Sequence, residues 1–503
     1  MPPSPSLAGR AVLAVGLMLG FYVLAIGIVG FLIYLPYAEW TYAGSLHIKL
    51  AFFCLLGAGT ILWSILPRSD RFVPPGPPLE PKEHPKLFEA LTGIAKATQQ
   101  EMPSEVYMTA EVNAWVMDRG GVMGFGSRRV MGLGLPLLQV LSVSQLSAAL
   151  AHEFGHFHGG DTKLGPWIYK TRAAIGRTLQ GLAAHGSLLE TPFLWYGKVF
   201  LRITHAVSRR QEFAADALAA RTVGSRPLIE GLKLIHGAAL AFNAYWLNEV
   251  APVLRQGFHP PLVEGFRRYL GASQITKAVS DSLDRELAEG ETNPYNTHPP
   301  LRERIAAVQD WPDRDAPGYD LPAISLLGNI EGLETQLISV TPNEPTAQAF
   351  QSVAWDEVGW KIWVPAWEAY AGKYANVLAG NTPRALPEIA QNLEAFSHRL
   401  READGEDLAP EDRRQQAAAT LGIALTVALR RNGWELHVLP GEDAICECKG
   451  IIIKPFDIVP ELLSGELSSE AWHDLCVNSG IAGLDLSGQP VIDPEDPSNQ
   501  RAQ

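Results

Sequence analysis

The sequence predicts an α+β protein that is mostly α-helical and lies behind an N-terminal pair of transmembrane helices. Two observations support this fold class. Residues 1–71 contain two long, nearly uncharged apolar runs, and the rest of the chain combines helical periodicity with a few short strands. The length of 503 residues allows two or three domains, and the 47% hydrophobic content suits a globular protein with a membrane part.

The two apolar runs cover about residues 11–35 and 46–66. Each can cross a hydrocarbon core of about 30 Å as an α-helix. A signal peptide is the competing interpretation of the first run, but that run is too long and no small-residue cleavage site follows it. Basic residues such as Arg10 and Arg68 flank the outer ends, whereas the connecting stretch holds a single lysine. We therefore expect a transmembrane hairpin in residues 1–71, with both of its ends in the cytoplasm.

A proline-rich stretch at 72–85 predicts a linker, and a domain is expected from residue 86 to about 313. This domain begins with a helix and then a small sheet, whose strands are predicted at 106–108, 114–117 and 129–132. If 114–117 forms the sheet edge, it can hold an extended peptide by main-chain pairing. An ordinary internal strand is the alternative, and the sequence leaves both open.

A metal-binding pattern follows the sheet, in Ala-His-Glu-Phe-Gly-His at 151–156. On a helix, His152 and His156 lie on one face, one turn apart, so both imidazoles can bind one metal ion. Glu153 is placed to act as general base toward a water on that metal. The helix itself is predicted by a capping box at Ser142 and Gln145 and by apolar residues at helical spacing.

A third ligand is needed, because catalytic zinc usually has three protein ligands and a water. A histidine six residues after His156 would supply it, but Thr162 stands there, and His158 points away from the ligand face. The better candidate is Glu212, with Asp216 one turn later as the hydrogen-bond acceptor that orients a zinc-bound histidine. A solvated, charged helix face is the alternative interpretation of that pair.

Four segments, in order, resemble the M48 family of membrane-associated zinc endopeptidases. They are residues 112–115, 151–156, 208–216 and 297–305. The resemblance covers about half the chain and implies a gluzincin-like protease domain at 86–313 that binds one Zn²⁺ through His152, His156 and Glu212. It also implies peptide-bond hydrolysis of membrane or misfolded proteins, in a bacterial inner membrane. His298 is a weaker candidate, as a residue that stabilises the oxyanion of the tetrahedral intermediate.

Two rival functions remain open from sequence. One is a membrane-anchored scaffold with a remnant zinc site, and the other is a zinc hydrolase of a non-peptide substrate. The family often has further hydrophobic segments between the zinc helix and the third ligand, whereas residues 178–201 here are interrupted by His185, Glu190 and Lys198. We expect two amphipathic helices there, packed on protein or lying on the membrane surface. How a substrate reaches the zinc stays open.

The remaining chain is predicted as a linker at 314–341, a helical and small α/β region at 342–483, and a disordered acidic tail at 484–503. The α/β region has no chemistry that the sequence identifies. Its cysteines Cys446, Cys448 and Cys476, with His473, match no common zinc spacing, so reduced thiols are the favoured interpretation. The net charge of −13 lacks the electrostatic footprint of a nucleic-acid-binding protein. The expected partners are protein substrates and the lipid bilayer, and the oligomeric state stays open.

Overall fold

A computed structural model describes residues 7–66, 72–119, 126–157, 165–183, 189–290, 298–313, 320–339, 350–404 and 409–487. For residues 7–11, 14, 165–169 and 404 it describes the backbone alone. The chain divides into two compact units, residues 1–242 with 278–342 and residues 243–277 with 343–503. Arg68, His158, Thr162 and His185, named above, lie outside the described residues, as does the predicted acidic tail from residue 488 onward.

The described α-helices, in chain order, are α1 (Leu7–Ala38), α2 (Ile48–Ile65), α3 (Pro85–Ala97), α4 (Leu135–Val140), α5 (Val143–Gly155), α6 (Gly165–Ala183), α7 (Glu190–Val223), α8 (Ser225–Tyr245), α9 (Ala251–Arg255), α10 (Leu262–Gly271), α11 (Ser273–Glu289), α12 (Leu301–Val308), α13 (Ile330–Ser339), α14 (Trp355–Val358), α15 (Val364–Lys373), α16 (Ala375–Leu378), α17 (Leu386–Gln391), α18 (Leu393–Asp404), α19 (Pro410–Arg431), α20 (Ile458–Ser464) and α21 (Ser469–Asn478). The described strands are β1 (Glu105–Thr109), β2 (Ala114–Arg119), β3 (Arg128–Gly134), β4 (Phe258–His259), β5 (Gln351–Ser352), β6 (Glu435–His437), β7 (Ile445–Cys448) and β8 (Ile451–Ile453).

The N-terminal helices α1 and α2 pack on each other and are long and apolar enough to cross a membrane, over Val15–Ala43 and Ile48–Ile65. Helix α1 also contacts α6 and α7, and α2 contacts α6. The core that these four helices share includes Phe21, Phe193 and Phe200, all fully buried. The region between α5 and Glu212 therefore packs on the N-terminal helices. Packing on protein was one of the two arrangements that we expected for this region.

Two polar contacts fix this packing. The hydroxyl of Tyr196 on α7 donates to the carbonyl oxygen of Leu17 on α1 at 2.5 Å. The guanidinium of Arg177 on α6 donates to the carbonyl oxygen of Ser64, near the end of α2, at 2.9 and 3.1 Å. Helix ends leave their last carbonyls without intrahelical partners, so this arginine caps α2.

The small sheet has the strand order β1-β3-β2, with β1 parallel and β2 antiparallel to β3. Strand β2 therefore lies at an edge of this sheet. An edge strand was the first of the two interpretations of residues 114–117 given above. The proline-rich stretch lies along β1 instead of passing freely between domains. Leu79 N–H donates to Val106 at 2.8 Å, and Met108 N–H donates to Pro77 at 2.9 Å.

Helix α5 is held in place at its N-terminal end. Ser142 and Gln145 form the predicted capping box. Residues 320–323 run alongside the start of the helix, where Val143 N–H donates to Leu321 at 2.8 Å and Ser144 N–H donates to the Asp320 carboxylate at 3.1 Å. The segment predicted as a linker at 314–341 therefore contains an anchor for α5, followed by α13.

The second unit has its own core, built around α19 and the antiparallel sheet β6-β7-β8. It includes residues 243–277, which the sequence had grouped with the catalytic domain. Cys446 and Cys476 are buried, and burial raises the pKa of their thiols to about 12 and about 11. His473 Nε2 lies 2.9 Å from the carbonyl oxygen of Arg384. Within the described ranges these side chains form no metal-ligand cluster.

Candidate metal centre

Helix α5 presents His152 and His156 side by side near its C-terminal end. Their ring centroids are 4.8 Å apart and the ring planes are inclined by 84°. One ligand atom from each of His152, Glu153 and His156 lies within 4.8 Å of the others. The histidine side chains differ in access, since that of His152 is 9% exposed and that of His156 is 28% exposed. The pair can therefore face a shared ion that is reached from the His156 side.

Helix α7 brings a carboxylate to these rings. Glu212 is buried, and its oxygens lie 3.4 Å from His152 Nε2 and 3.7 Å from His156 Nε2. The approach depends on small residues where the two helices cross. A Cβ atom on Gly155 would lie only 2.9 Å from Ala215 Cα. Glycine at 155 and alanine at 215 thus allow the close contact that places Glu212 beside both imidazoles.

Asp216, one turn after Glu212, is completely buried and binds the far side of the first imidazole. Its Oδ1 lies 2.8 Å from His152 Nδ1. With the Nδ1 proton donated to this carboxylate, the lone pair of Nε2 points toward Glu212 and His156. Carboxylates in this position fix both the tautomer and the orientation of a metal-binding histidine.

Arg304, on α12, completes this buried layer. Its Nε and Nη2 donate to the two oxygens of Asp216 at 2.8 and 2.7 Å. Such a bidentate pair satisfies a carboxylate that would otherwise be very costly to bury. Nη1 of the same guanidinium lies 3.8 Å from Glu212 Oε2. Arg304 therefore ties α12 to both carboxylate residues of α7.

The titratable side chains of this site strongly perturb one another's pKa values. Burial lowers the pKa of His152, but its interactions with Asp216 and Glu212 outweigh burial and bring it to about 9. Burial raises the pKa of Glu153 to about 7 and, with the neighbouring His152, lowers that of His156 to about 4. Burial raises the pKa of Glu212, yet the nearby histidines hold it well below its ordinary value. Because a metal binds neutral imidazole, cation binding would release a proton from His152.

The donor set suits a divalent cation. Glu212 Oε2 is buried without a well-aligned hydrogen bond, although nitrogens of His298, His152 and Arg304 lie within 3.1–3.8 Å of it. A buried carboxylate oxygen in that state is costly unless a cation completes its environment. Two imidazole nitrogens and one carboxylate oxygen are the ligand types of a catalytic zinc site.

A cleft of about 480 Å³ opens beside these residues. It runs along the face of α5 that carries Gln145, Ala149, His152 and Glu153, and α8 forms the facing wall. The other lining residues are Asn113, Ala114, Leu137, Leu228, Gly231, Leu232, Ile235, His236, Glu286, Gly290, His298, Pro299, Pro300 and Arg304. The first residue of edge strand β2 thus borders the same space as the metal-ligand candidates.

The structure brings together all six residues that the sequence singled out. His298 approaches through Nδ1, 3.1 Å from Glu212 Oε2, and 60% of its side chain is exposed. The residue that sequence reasoning missed is Arg304. Its signal was present, because Leu301, Arg304 and Val308 recur on the buried face of α12. An arginine on such a face is almost always paired with a buried acid.

Comparison with known proteins agrees with this geometry. The family described as Peptidase family M48 matches residues 81–312. A protease HtpX homolog from Aeropyrum pernix is 29% identical over 255 residues, which cover 41% of this chain and 76% of the relative. Protease HtpX from Erwinia tasmaniensis is 29% identical over 209 residues, which cover 34% of this chain and 69% of the relative.

No solved structure matches the chain significantly. The family match spans the sheet, α5, α7 and α12, and so includes every residue of the metal centre. The family match and the two proteases therefore support a metalloendopeptidase domain of the M48 family at residues 81–312.

Proposed function

We propose that this protein is a membrane-anchored zinc endopeptidase that cleaves membrane or misfolded proteins on the cytoplasmic side of a bacterial inner membrane. The observation that carries the proposal is the convergence of His152, His156 and Glu212 from two helices, with Glu153 beside them. These three residues would hold one Zn²⁺. When bound, the ion polarises the peptide carbonyl and lowers the pKa of a water molecule to about 7.

The other residues take roles that follow from their positions. Glu153 accepts the proton of the attacking water and delivers it to the leaving amine. Asp216, held by Arg304, keeps His152 in the tautomer that leaves Nε2 free for the metal. His298, largely exposed at the rim, is positioned to donate a hydrogen bond to the oxyanion. Edge strand β2 offers main-chain groups to an extended substrate, a mode that tolerates many sequences.

The decisive experiment replaces Glu153 with glutamine, which keeps the shape and removes the base. Purified Glu153→Gln should bind one zinc per chain by elemental analysis and cleave peptides about 10²–10⁴-fold more slowly. Glu89→Gln, an exposed site on α3, is the matched control and should cleave normally. Cleavage by Glu153→Gln at the control rate removes this residue as the base. Wild-type protein without bound transition metal removes the zinc assignment.

The scaffold alternative predicts no hydrolysis at all. Casein digestion by the wild-type protein, abolished by o-phenanthroline and restored by zinc, would exclude it. A remnant site has no need of a base, whereas here Glu153 lies with both histidines in one cluster. The non-peptide alternative is separated by the same assay, because a hydrolase of small esters would leave casein intact.

Membrane anchoring is supported by the lipophilic surface of α1 and α2. Side chains such as Val23, Phe53 and Trp63 are 65–72% exposed, although each is strongly apolar. A topology test uses single cysteines at two exposed positions. In intact cells a membrane-impermeant maleimide should label Ser45→Cys, between the spans, and not Glu89→Cys on the catalytic side. Labelling in the opposite pattern would reverse the orientation.

A further inference from the structure

Two polar side chains in the cleft have no part in the proposed metal chemistry. They are His236 on α8 and Glu286 on α11. The cleft is otherwise walled on this side by aliphatic residues of α8, among them Leu232 and Ile235. A carboxylate in such a setting marks a position where a substrate group of opposite charge would be favoured.

The ring of His236 is oriented by its own helix. Its Nδ1 lies 2.8 Å from the carbonyl oxygen of Leu232, an acceptor, so Nδ1 carries the proton. When the ring is neutral, Nε2 is therefore an acceptor. It faces Glu286 Oε1 across 3.7 Å, which is too long for a hydrogen bond between them.

Two acceptors therefore converge on one place in the cleft wall. Both side chains are partly exposed, His236 by 30% and Glu286 by 37%. A group with several N–H donors and a positive charge would satisfy both at once, as an ammonium or a guanidinium does. Arg304 also lines the cleft, but its guanidinium already binds the carboxylate of Asp216.

The pair shares its cleft with the metal centre. His236 and Glu286 line the same space as His152 and Glu153. A substrate that reaches the metal centre through this cleft therefore also meets the pair.

We propose that Glu286, together with His236, is a specificity site that favours a lysine or arginine in the substrate near the scissile bond. This inference rests on the proposed peptidase function and adds a preferred substrate class to it. The aliphatic wall of α8 favours apolar side chains next to the basic residue.

The test uses quenched fluorescent peptides with one neutral, apolar body. Arginine, norleucine or glutamate is placed in turn at each of three positions on either side of the scissile bond. The readout is the ratio of kcat/KM for the arginine peptide to that for the norleucine peptide, with zinc-loaded, full-length protein in detergent. At one position we expect a ratio of about ten, as for a hydrogen bond to a charged group.

Glu286→Gln should bring that ratio close to one, and Glu286→Lys should transfer the preference to the glutamate peptide. Glu289→Gln, an exposed site on the same helix, is the matched control and should keep the wild-type ratio. A wild-type ratio near one at every position overturns the specificity site, as does a ratio that Glu286→Gln leaves unchanged. Failure of the proposed function looks different, because zinc-loaded wild-type protein would then cleave none of the peptides.

Discussion

The contact between Gly155 on α5 and Ala215 on α7 offers a quantitative test of how the metal centre is assembled. A Cβ atom on Gly155 would lie 2.9 Å from Ala215 Cα and 3.0 Å from Ala215 Cβ. Carbon atoms in contact are about 3.5–4.0 Å apart, so Gly155→Ala must push the helices apart by roughly 0.7 Å. Overpacking of this kind costs about 1–3 kcal/mol, more than the 0.5–1 kcal/mol or so that alanine gains over glycine within a helix.

The displacement also reaches the ligands. Glu212 lies three residues before Ala215, so a shift of α7 moves its carboxylate away from both imidazoles. Metal–ligand distances tolerate deviations of only about 0.2 Å. We therefore expect Gly155→Ala to weaken zinc binding by about tenfold or more, the scale seen when the supporting shell of a metal site is disturbed.

The assay is competition for zinc against a chromogenic chelator, combined with thermal unfolding of the detergent-solubilised protein. Gly93→Ala is the matched control, because a Cβ there meets no atom within 4 Å in the middle of α3. The control should unfold at a slightly higher temperature and bind zinc normally. Wild-type zinc affinity in Gly155→Ala, together with a raised unfolding temperature, would refute the close-packing argument.

Three further predictions concern single polar contacts. Arg304→Leu removes the bidentate partner of Asp216 and should lower the free energy of unfolding, measured by denaturant titration, by about 3–5 kcal/mol. A loss below about 1 kcal/mol would contradict the buried pair. Burial raises the pKa of Asp320, but hydrogen bonds from the start of α5 outweigh burial and hold this pKa below its ordinary value. Its contribution is therefore present above pH 4 or so and is lost as the pH falls through the lowered pKa, so Asp320→Asn should cost about 1 kcal/mol at pH 7 and progressively less in increasingly acidic unfolding curves. Tyr196→Phe removes the hydrogen bond between α7 and α1 and should cost about 0.5–1.5 kcal/mol in thermal unfolding, and an unchanged unfolding temperature would count against that contact.

Local chemistry made much of the site predictable from sequence. The capping box at Ser142 and the periodic apolar residues define α5 without reference to any neighbour. The spacing of His152 and His156 then follows from helix geometry alone. The strands predicted at 106–108, 114–117 and 129–132 were also close to the observed bounds of β1, β2 and β3, since short β-rich runs between turns carry a local signal.

Features that depend on which surfaces meet were beyond such reasoning. Helical periodicity shows that α12 has a buried face but not that Arg304 meets Asp216 there. A glycine at 155 gives no sign that Ala215 will lie against it. The proline content of 72–85 suggested a linker, yet its main-chain groups pair with β1, because proline restricts only some of the hydrogen bonds that a segment can make.

Helix α7 is unbroken from Glu190 to Val223, and it touches α1 through Tyr196 while carrying Glu212 near its other end. Sixteen residues separate those two positions, which corresponds to about 24 Å of rigid helix. With α1 in a bilayer, Leu17 lies close to the start of the apolar span. This length of α7 then separates the metal centre from the lipid. A polypeptide that leaves the membrane would need about seven extended residues to cover this distance before one of its peptide bonds reached the metal centre.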